Sequence, residues 1–325
     1  MTGSLPGTSV SVDSRTDRRL HVIVNPMSGN GRTRRAWPTI DRRLRRLGFE
    51  IDFRMTEGSG DGARLGREAI ESGVDEVVVV GGDGTVNEVV NGLFQASHGR
   101  SPEVIVSVLP AGTGRDFSRS MGLRSFDHAL ETLGHGQIVD LDVGRVDYVD
   151  AEGSKSCYFM NGGDVGIGAE TAALLNRSSK VLGGKISYML GAVRSIIHYR
   201  GKPARIEADG EVVHDDLMAM SVFSNGRYHA GGMDMAPRAS MTDGYLELLV
   251  LSDVPKYSLL GSLLPSVYFG RHIDHPAVAY RRVKQVTVTS PEPLLFEVDG
   301  EQPGTTDITV SILPAALRVR MPAAR

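Results

Sequence analysis

Hydrophobic and polar positions fall into two regimes along the chain. From His21 to about Leu133, short runs of branched apolar residues alternate with segments whose apolar positions recur every three or four residues; from Val139 onward the pattern is one of short strands of period two separated by turns. In the first regime His21-Val22-Ile23-Val24, Phe49 to Phe53, Val77 to Val80 and Val104 to Leu109 predict strands. Helices are predicted over Thr33 to Leu47, Asp61 to Ser72 and Val86 to Gln95, with one more containing Leu130 and Leu133. A continuous β-branched run such as Val77 to Val80 suits a strand covered by helices on both faces, as in parallel sheets. Such alternation predicts an α/β domain. The second regime predicts strands at Tyr158 to Met160, Arg205 to Ala208, Leu217 to Phe223, Tyr245 to Leu251, Val283 to Thr289, Leu294 to Val298 and Ile308 to Ile312. One amphipathic helix, about Lys180 to Tyr199, interrupts it with an apolar stripe that either packs in the core or faces lipid.

Length and composition narrow the class. A chain of 325 residues is too long for one ordinary core, so two domains are expected. Apolar residues make up 41% and charged residues 23%, which excludes disordered, collagen-like and coiled-coil proteins. A net charge of −3 gives no support for nucleic-acid binding. The basic residues are 30 arginines and six lysines, and Arg42, Arg43, Arg45 and Arg46 form either a solvated face or a contact for phosphates and acidic headgroups. The single Cys157 rules out an internal disulfide framework and fits a reducing compartment. Residues 1–19 are polar, without the apolar centre of a secretory leader, and read as a disordered tail. The longest apolar candidate for a membrane span, Tyr257 to Gly270, contains Pro265 and falls short of the roughly 20 residues a bilayer requires.

Candidate chemistry sits at strand ends. Gly81-Gly82-Asp83-Gly84-Thr85 follows the Val77 to Val80 strand and precedes a helix, so its glycines can bring backbone N–H groups against phosphate oxygens at a helix N-terminus. A carboxylate there repels phosphate unless a cation such as Mg²⁺ lies between them. Asn25-Pro26-Met27-Ser28-Gly29 and Pro110-Ala111-Gly112-Thr113-Gly114-Arg115-Asp116 end two further strands in the same way. Three glycine turns delivered to one sheet edge argue for a nucleotide site. None is a Walker loop or a dinucleotide fingerprint. Gly162, Gly163, Gly166 and Gly168, around Asp164, read as a turn at the domain interface, with a cleft-facing role as the alternative.

Taken in order, Asn25-Pro26-x-Ser28-Gly29, Gly81-Gly82-Asp83-Gly84-Thr85-x-Asn87-Glu88, Pro110-x-Gly112-Thr113-x-x-Asp116-Phe117, Asp142-x-Gly144 and Asp299-Gly300-Glu301 resemble the soluble diacylglycerol kinase family of lipid kinases, which includes sphingosine and ceramide kinases. The glycine-aspartate loop alone is shared with NAD kinases and phosphofructokinases. This resemblance implies a three-layer α/β domain of the NAD kinase and phosphofructokinase type over 20–142, a β-sandwich lipid-binding domain over 143–304, and a return of 305–325 to the first domain. It implies that Asn25, Ser28, Thr56, Gly81, Gly82, Asp83, Gly84, Thr85, Asn87, Glu88 and Thr113 hold ATP. It further implies that Asp83, Asp116 and Asp142 arrange a catalytic Mg²⁺, directly or through water, and that Glu301 is the general base. The turn Ser240-Met241-Thr242-Asp243-Gly244-Tyr245 resembles a second, structural metal site, with the Asp243 side chain and the Ser240 and Tyr245 carbonyls as ligands; the same residues suit an ordinary hairpin turn. Arg115 departs from the asparagine usual at its position.

The expected activity is transfer of the ATP γ-phosphoryl group to a lipid hydroxyl, diacylglycerol first, by a cytoplasmic protein that visits the inner membrane face transiently, with homodimers allowed. An NAD kinase-like or other small-alcohol kinase is the alternative, and a non-catalytic nucleotide or lipid sensor stands third.

Overall fold

The computed structural model describes residues 18–177, 197 and 199–323. The expected tail is therefore described only at Arg18 and Arg19, and the amphipathic helix expected over Lys180 to Tyr199 lies almost wholly outside the described residues. Four parallel strands, β1 (Arg19–Val24), β2 (Glu50–Met55), β3 (Glu76–Gly81) and β4 (Ile105–Pro110), lie in the order β2-β1-β3-β4. Helices α1 (Arg32–Arg46), α2 (Asp61–Glu71) and α3 (Asp83–Ala96) are their crossovers. All six residues of β3 are buried, as expected of a strand covered on both faces. Helices α2 and α3 cross in backbone contact: a Cβ on Gly92 would lie 2.0 Å from the Ala63 carbonyl oxygen. Beyond β4 come α4 (Asp116–Ser120), a short helix the apolar spacing did not predict, and α5 (Phe126–His135), capped by the Ser125 hydroxyl on the His128 N–H.

The second half is antiparallel. It contains β5 (Gln137–Asp150), β6 (Gly153–Phe159), β7 (Gly162–Gly166), α6 (Ile167–Arg177), β8 (Lys202–Ala208), β9 (Glu211–Ser224), β10 (Leu246–Ser252), β11 (Val278–Val283), β12 (Gln285–Thr289), β13 (Leu295–Val298), β14 (Glu301–Thr305) and β15 (Ile308–Met321). The glycine cluster expected to form a turn is instead strand β7, between β9 and β13. Side chains there would collide with their neighbours, since a Cβ on Gly163 would lie 2.2 Å from the Glu297 carbonyl oxygen. The strand expected over Val283 to Thr289 is two strands meeting at Lys284, because the Asp209 carboxylate accepts the N–H groups of Lys284 and Gln285 and turns the chain. No helix among the described residues is long and apolar enough to cross a membrane.

Strand β15 binds the halves into one mixed sheet. It pairs antiparallel with β12 and β5, and at Arg318 and Val319 it pairs parallel with β4. Sequence pattern predicted only its first five residues, because Pro314 and the left-handed Ala315 interrupt the alternation in a bulge. Past that bulge, Arg320 reaches the buried Glu76 of β3 through two contacts of 2.9 Å, and Arg18 and the Ser107 hydroxyl bind the same carboxylate. Burial alone would raise the Glu76 pKa, but Arg320 and Arg18 outweigh it and hold the group below its ordinary value. The stability this carboxylate supplies is therefore complete above the ordinary carboxylate range and is lost as pH falls through its lowered folded value. Arg320→Ala is expected to cost about 1.5–3 kcal/mol in urea unfolding at neutral pH, because Glu76 loses two charge-assisted bonds but keeps Arg18 and the Ser107 hydroxyl. A loss under about 1 kcal/mol would show that this ion pair does not anchor β15.

Candidate active site

The carboxyl ends of β1, β3 and β4 bring three turns together, and Asn25 fastens the first to the second. Its N–H donates to the Val80 carbonyl at 2.9 Å, its side-chain amide donates to the Thr85 hydroxyl at 2.8 Å, and its Oδ1 accepts the Met27 N–H at 3.0 Å. The second and third turns touch through backbone alone. Gly112 N–H and Ala111 N–H both donate to the Gly81 carbonyl, and a Cβ on Gly112 would lie 2.4 Å from Gly82 Cα. Only glycine permits that approach. Asp83 and Gly84, expected in a loop, occupy the first turn of α3, where free N–H groups and the positive end of the helix dipole favour an anion.

These turns floor one end of a cavity of about 760 Å³. Asn25, Ser28, Thr56, Gly82, Asp83, Gly84, Thr85, Glu88, Thr113, Asp116 and Glu301 all line it. The sequence expectation for those eleven positions thus converges on one space. Glu301 Oε1 stands over Gly84, 3.6 Å from where a Cβ would lie. Glu88 also accepts the Gly60 and Gly62 N–H groups, at 2.9 Å each, and so fixes the start of α2.

Other expected residues sit behind the cavity. Gly81 packs against the Thr85 side chain. Asn87 donates to the Tyr158 carbonyl at 3.0 Å and to Asp299 Oδ2 at 3.1 Å. Asp299, which itself lines the cavity and whose own backbone is left-handed, accepts the N–H groups of Met160, Asn161 and Gly162. Asp142 corrects the expectation of a ligand beside Asp83 and Asp116. It does not line the cavity; Oδ1 accepts Ala315 N–H in the β15 bulge and Oδ2 accepts Gly244 N–H, at 2.8 and 2.7 Å. It is a strut between two turns.

Ser240, Asp243 and Tyr245 also lie away from the cavity. Both Asp243 oxygens are engaged, Oδ1 by Tyr245 N–H at 3.1 Å and Oδ2 by Arg282 at 2.6 Å, while the Arg282 guanidinium sits 4.4 Å from the Tyr245 ring centre. As arranged, this turn carries its own cation and does not fit a divalent ion. Arg115 is exposed and outside the cavity lining.

Electrostatics within the cavity are dominated by uncompensated carboxyl groups. Desolvation pushes Asp83 up to about 6, and the charges of Asp116 and Asp299 add to it, against the lowering effect of N–H bonds from Asp116 and Phe117. Asp116 is held by Arg119 at 2.8 Å and by Gly231 N–H at 2.6 Å. Desolvation, then the Glu88 charge, raises Glu301 above the usual carboxylate value.

Two residues lie farther along the wall, Asp164, from the segment for which a cleft-facing role was the alternative, and Glu297, which sequence reasoning missed. Asp164 and Glu297 face each other across β7 and β13 and line the cavity; desolvation and the partner's charge raise Glu297 well above its usual range, while desolvation takes Asp164 to about 6. A glutamate in the otherwise apolar Leu294 to Val298 run was the available signal. Past this pair the lining becomes apolar, with Ile167, Val222, Leu249, Leu251 and Leu263.

Comparison with known proteins agrees with this arrangement. Residues 19–146 match the model of the diacylglycerol kinase catalytic domain, and residues 163–321 match that of the YegS C-terminal NAD kinase beta sandwich-like domain. Lipid kinase YegS of Escherichia coli K12 is 31% identical over 282 residues, covering 86% of this chain and 89% of the relative. A diacylglycerol kinase of Staphylococcus carnosus is 29% identical over 288 residues, covering 88% and 90%. The solved structure of a diacylglycerol kinase from Bacillus anthracis superposes with a TM-score of 0.68 over 94% of this chain and 97% of that one, at 19% identity, and shares the fold. An α/β half with three glycine turns, a β-rich half that completes the cavity and these matches together place the chain in the diacylglycerol kinase catalytic-domain family, as a lipid kinase.

Proposed function

We propose that the protein transfers the γ-phosphoryl group of ATP, with Mg²⁺, to the hydroxyl of a membrane lipid, diacylglycerol in the first instance. The observation that carries this is a single cavity with two chemistries, glycine turns and carboxylates at one end and Ile167, Val222, Leu249, Leu251 and Leu263 at the other. A nucleotide alone gives no reason for the apolar end; an acyl chain does.

Each residue then has a task. Gly82, Gly84 and Thr85 offer N–H groups at the start of α3 to phosphate oxygens, with Ser28, Thr56 and Thr113 around the remainder of the nucleotide. Asp83 supplies hard oxygen donors at the start of α3, and Asp116 beside it, whose oxygens accept from Arg119 and the Gly231 N–H, reaches an ion through water. They would hold Mg²⁺, whose chemistry is to neutralise the triphosphate. Glu301, at the cavity surface over Gly84, accepts the proton of the attacking hydroxyl. The Asp164 and Glu297 pair, between the ends, offers carboxyl oxygens to the polar part of the acceptor. Phosphoryl transfer asks little covalent work of a protein beyond such positioning.

Transfer of labelled γ-phosphate to a panel of lipids in mixed micelles, with NAD as a non-lipid acceptor, tests the reading; label in NAD alone would replace the lipid acceptor by the soluble-alcohol alternative. Glu301→Gln is expected to lower kcat about 10²–10⁴-fold with nucleotide affinity retained, and unchanged turnover would remove Glu301 from the reaction. Since its pKa is raised, the acid limb of the wild-type rate profile should lie above the ordinary carboxylate range, with activity falling as pH drops through it. Asp83→Asn should abolish activity yet stabilise the metal-free protein. A carboxylate raised from 3.8 to about 6 on folding supplies stability below its unfolded value and loses it as pH rises through 6. The variant should therefore exceed wild type by roughly 2–3 kcal/mol at pH 8, with no such gain at pH 3, in chemical unfolding. Equal stability at both pH values would contradict an uncompensated Asp83.

A further inference from the structure

The apolar end of the cavity is lined in part by a short segment with two different faces. Residues 256–267 form an α turn (Lys256–Ser258), a π turn (Leu259–Leu263) and a second α turn (Leu264–Val267). Leu259, Leu263 and Val267 are buried and line the cavity from inside. Outside, Tyr257 is 80% exposed, Phe269 75% and Tyr268 44%. These aromatic residues stand at the two ends of the segment, twelve residues apart. Each end also carries a cation, Lys256 beside Tyr257 and Arg271 just after Phe269, both exposed. Asp253 and Asp274 are the nearby exposed acidic residues.

Large aromatic rings in water are costly unless something covers them. Aromatic rings flanked by Lys or Arg, on a segment whose other face is apolar, are the chemistry of the membrane–water interface, where ring bodies sit among headgroups and cations meet anionic phosphates. Phosphate-end residues such as Asn25 and Thr113 are poor candidates for that contact, since their polar groups face nucleotide in the proposed reaction. A bilayer lipid must bring its acyl chains to Val222 and Leu249 without carrying them through water, and Leu259, Leu263 and Val267 of this segment line the same cavity.

We infer that residues 256–270 are the membrane-docking face of the protein, with Tyr257, Tyr268 and Phe269 seated in the interfacial layer of a phospholipid bilayer and the apolar end of the cavity directly behind them. The inference rests on reading that end as the acyl-chain site. The occupant is a bilayer surface rather than a second protein, because the inner face of the same segment lines the lipid end of the cavity.

The test uses the full chain without ATP or diacylglycerol, so that it reads docking and not turnover. Trp37 is buried, so tryptophan introduced at an exposed position reports its own surroundings. Phe269→Trp is compared with Val149→Trp, at an exposed position near the end of β5, on adding phosphatidylcholine–phosphatidylglycerol vesicles brominated in their acyl chains. The expected result is at least twofold quenching at 269 and none at 149. Absence of vesicle binding, or equal quenching at the two positions, would overturn the inference. As a second readout, the double variant Tyr257→Ser, Phe269→Ser should lose about tenfold in activity on vesicle-borne diacylglycerol while keeping its activity on a short-chain, monomeric diacylglycerol. Equal loss on both substrates would overturn the docking role. Quenching at 269 in a protein that phosphorylates no lipid would leave docking standing and remove the acceptor assignment.

Discussion

Contact between two backbones, Gly82 against Gly112, is the constraint on which the rest of the site depends. With a Cβ on Gly112 only 2.4 Å from Gly82 Cα, any other residue there would drive the β3 and β4 turns apart. Their closeness brings the Asp116 N–H within 2.9 Å of Asp83 Oδ2. Two carboxylates are thereby fixed side by side at a helix N-terminus. Such an arrangement raises the energy of the native protein, and it persists because the buried strands beneath it over-determine the backbone.

The carboxyl groups divide by what surrounds them. Asp142 has both oxygens met by backbone N–H groups and serves as a strut between turns, whereas Asp299, also met by backbone N–H groups, is still raised by desolvation. Asp83, Glu297 and Glu301 are raised because desolvation outweighs their partners. Chemistry is expected of the second kind, since a fully bonded carboxylate has little left to give a ligand or a proton.

Much of this was legible in the sequence. Runs such as Val77 to Val80 announce buried parallel strands, and glycine turns after three of them announce where an anion would bind. The Gly162 to Gly166 strand was not legible, because glycines that usually punctuate loops are here required by contact with neighbouring strands, which only the tertiary fold supplies. Asp142 was misplaced for a related reason: its bulge partner, Ala315, is 173 residues away in sequence. Asp164 and Glu297 form a pair only through the register of β7 with β13, which no local pattern encodes. Arg282 becomes the counter-ion of Asp243 through a contact 39 residues apart along the chain.

Strand β15 carries a consequence for biosynthesis. The α/β half lacks its fifth parallel strand until Arg318 and Val319 come to lie beside Ile105 and Val106. At translation rates of about 5–20 residues per second, the interval of roughly 200 residues leaves the β4 edge without its partner for about 10–40 s on the ribosome. During that time the growing chain presents an apolar strand edge and an incompletely neutralised Glu76, a state prone to wrong pairing with other chains. The protein should therefore depend on chaperones or on slow synthesis more than its ordinary composition suggests, and truncation near residue 310 would unmake the half that was translated first.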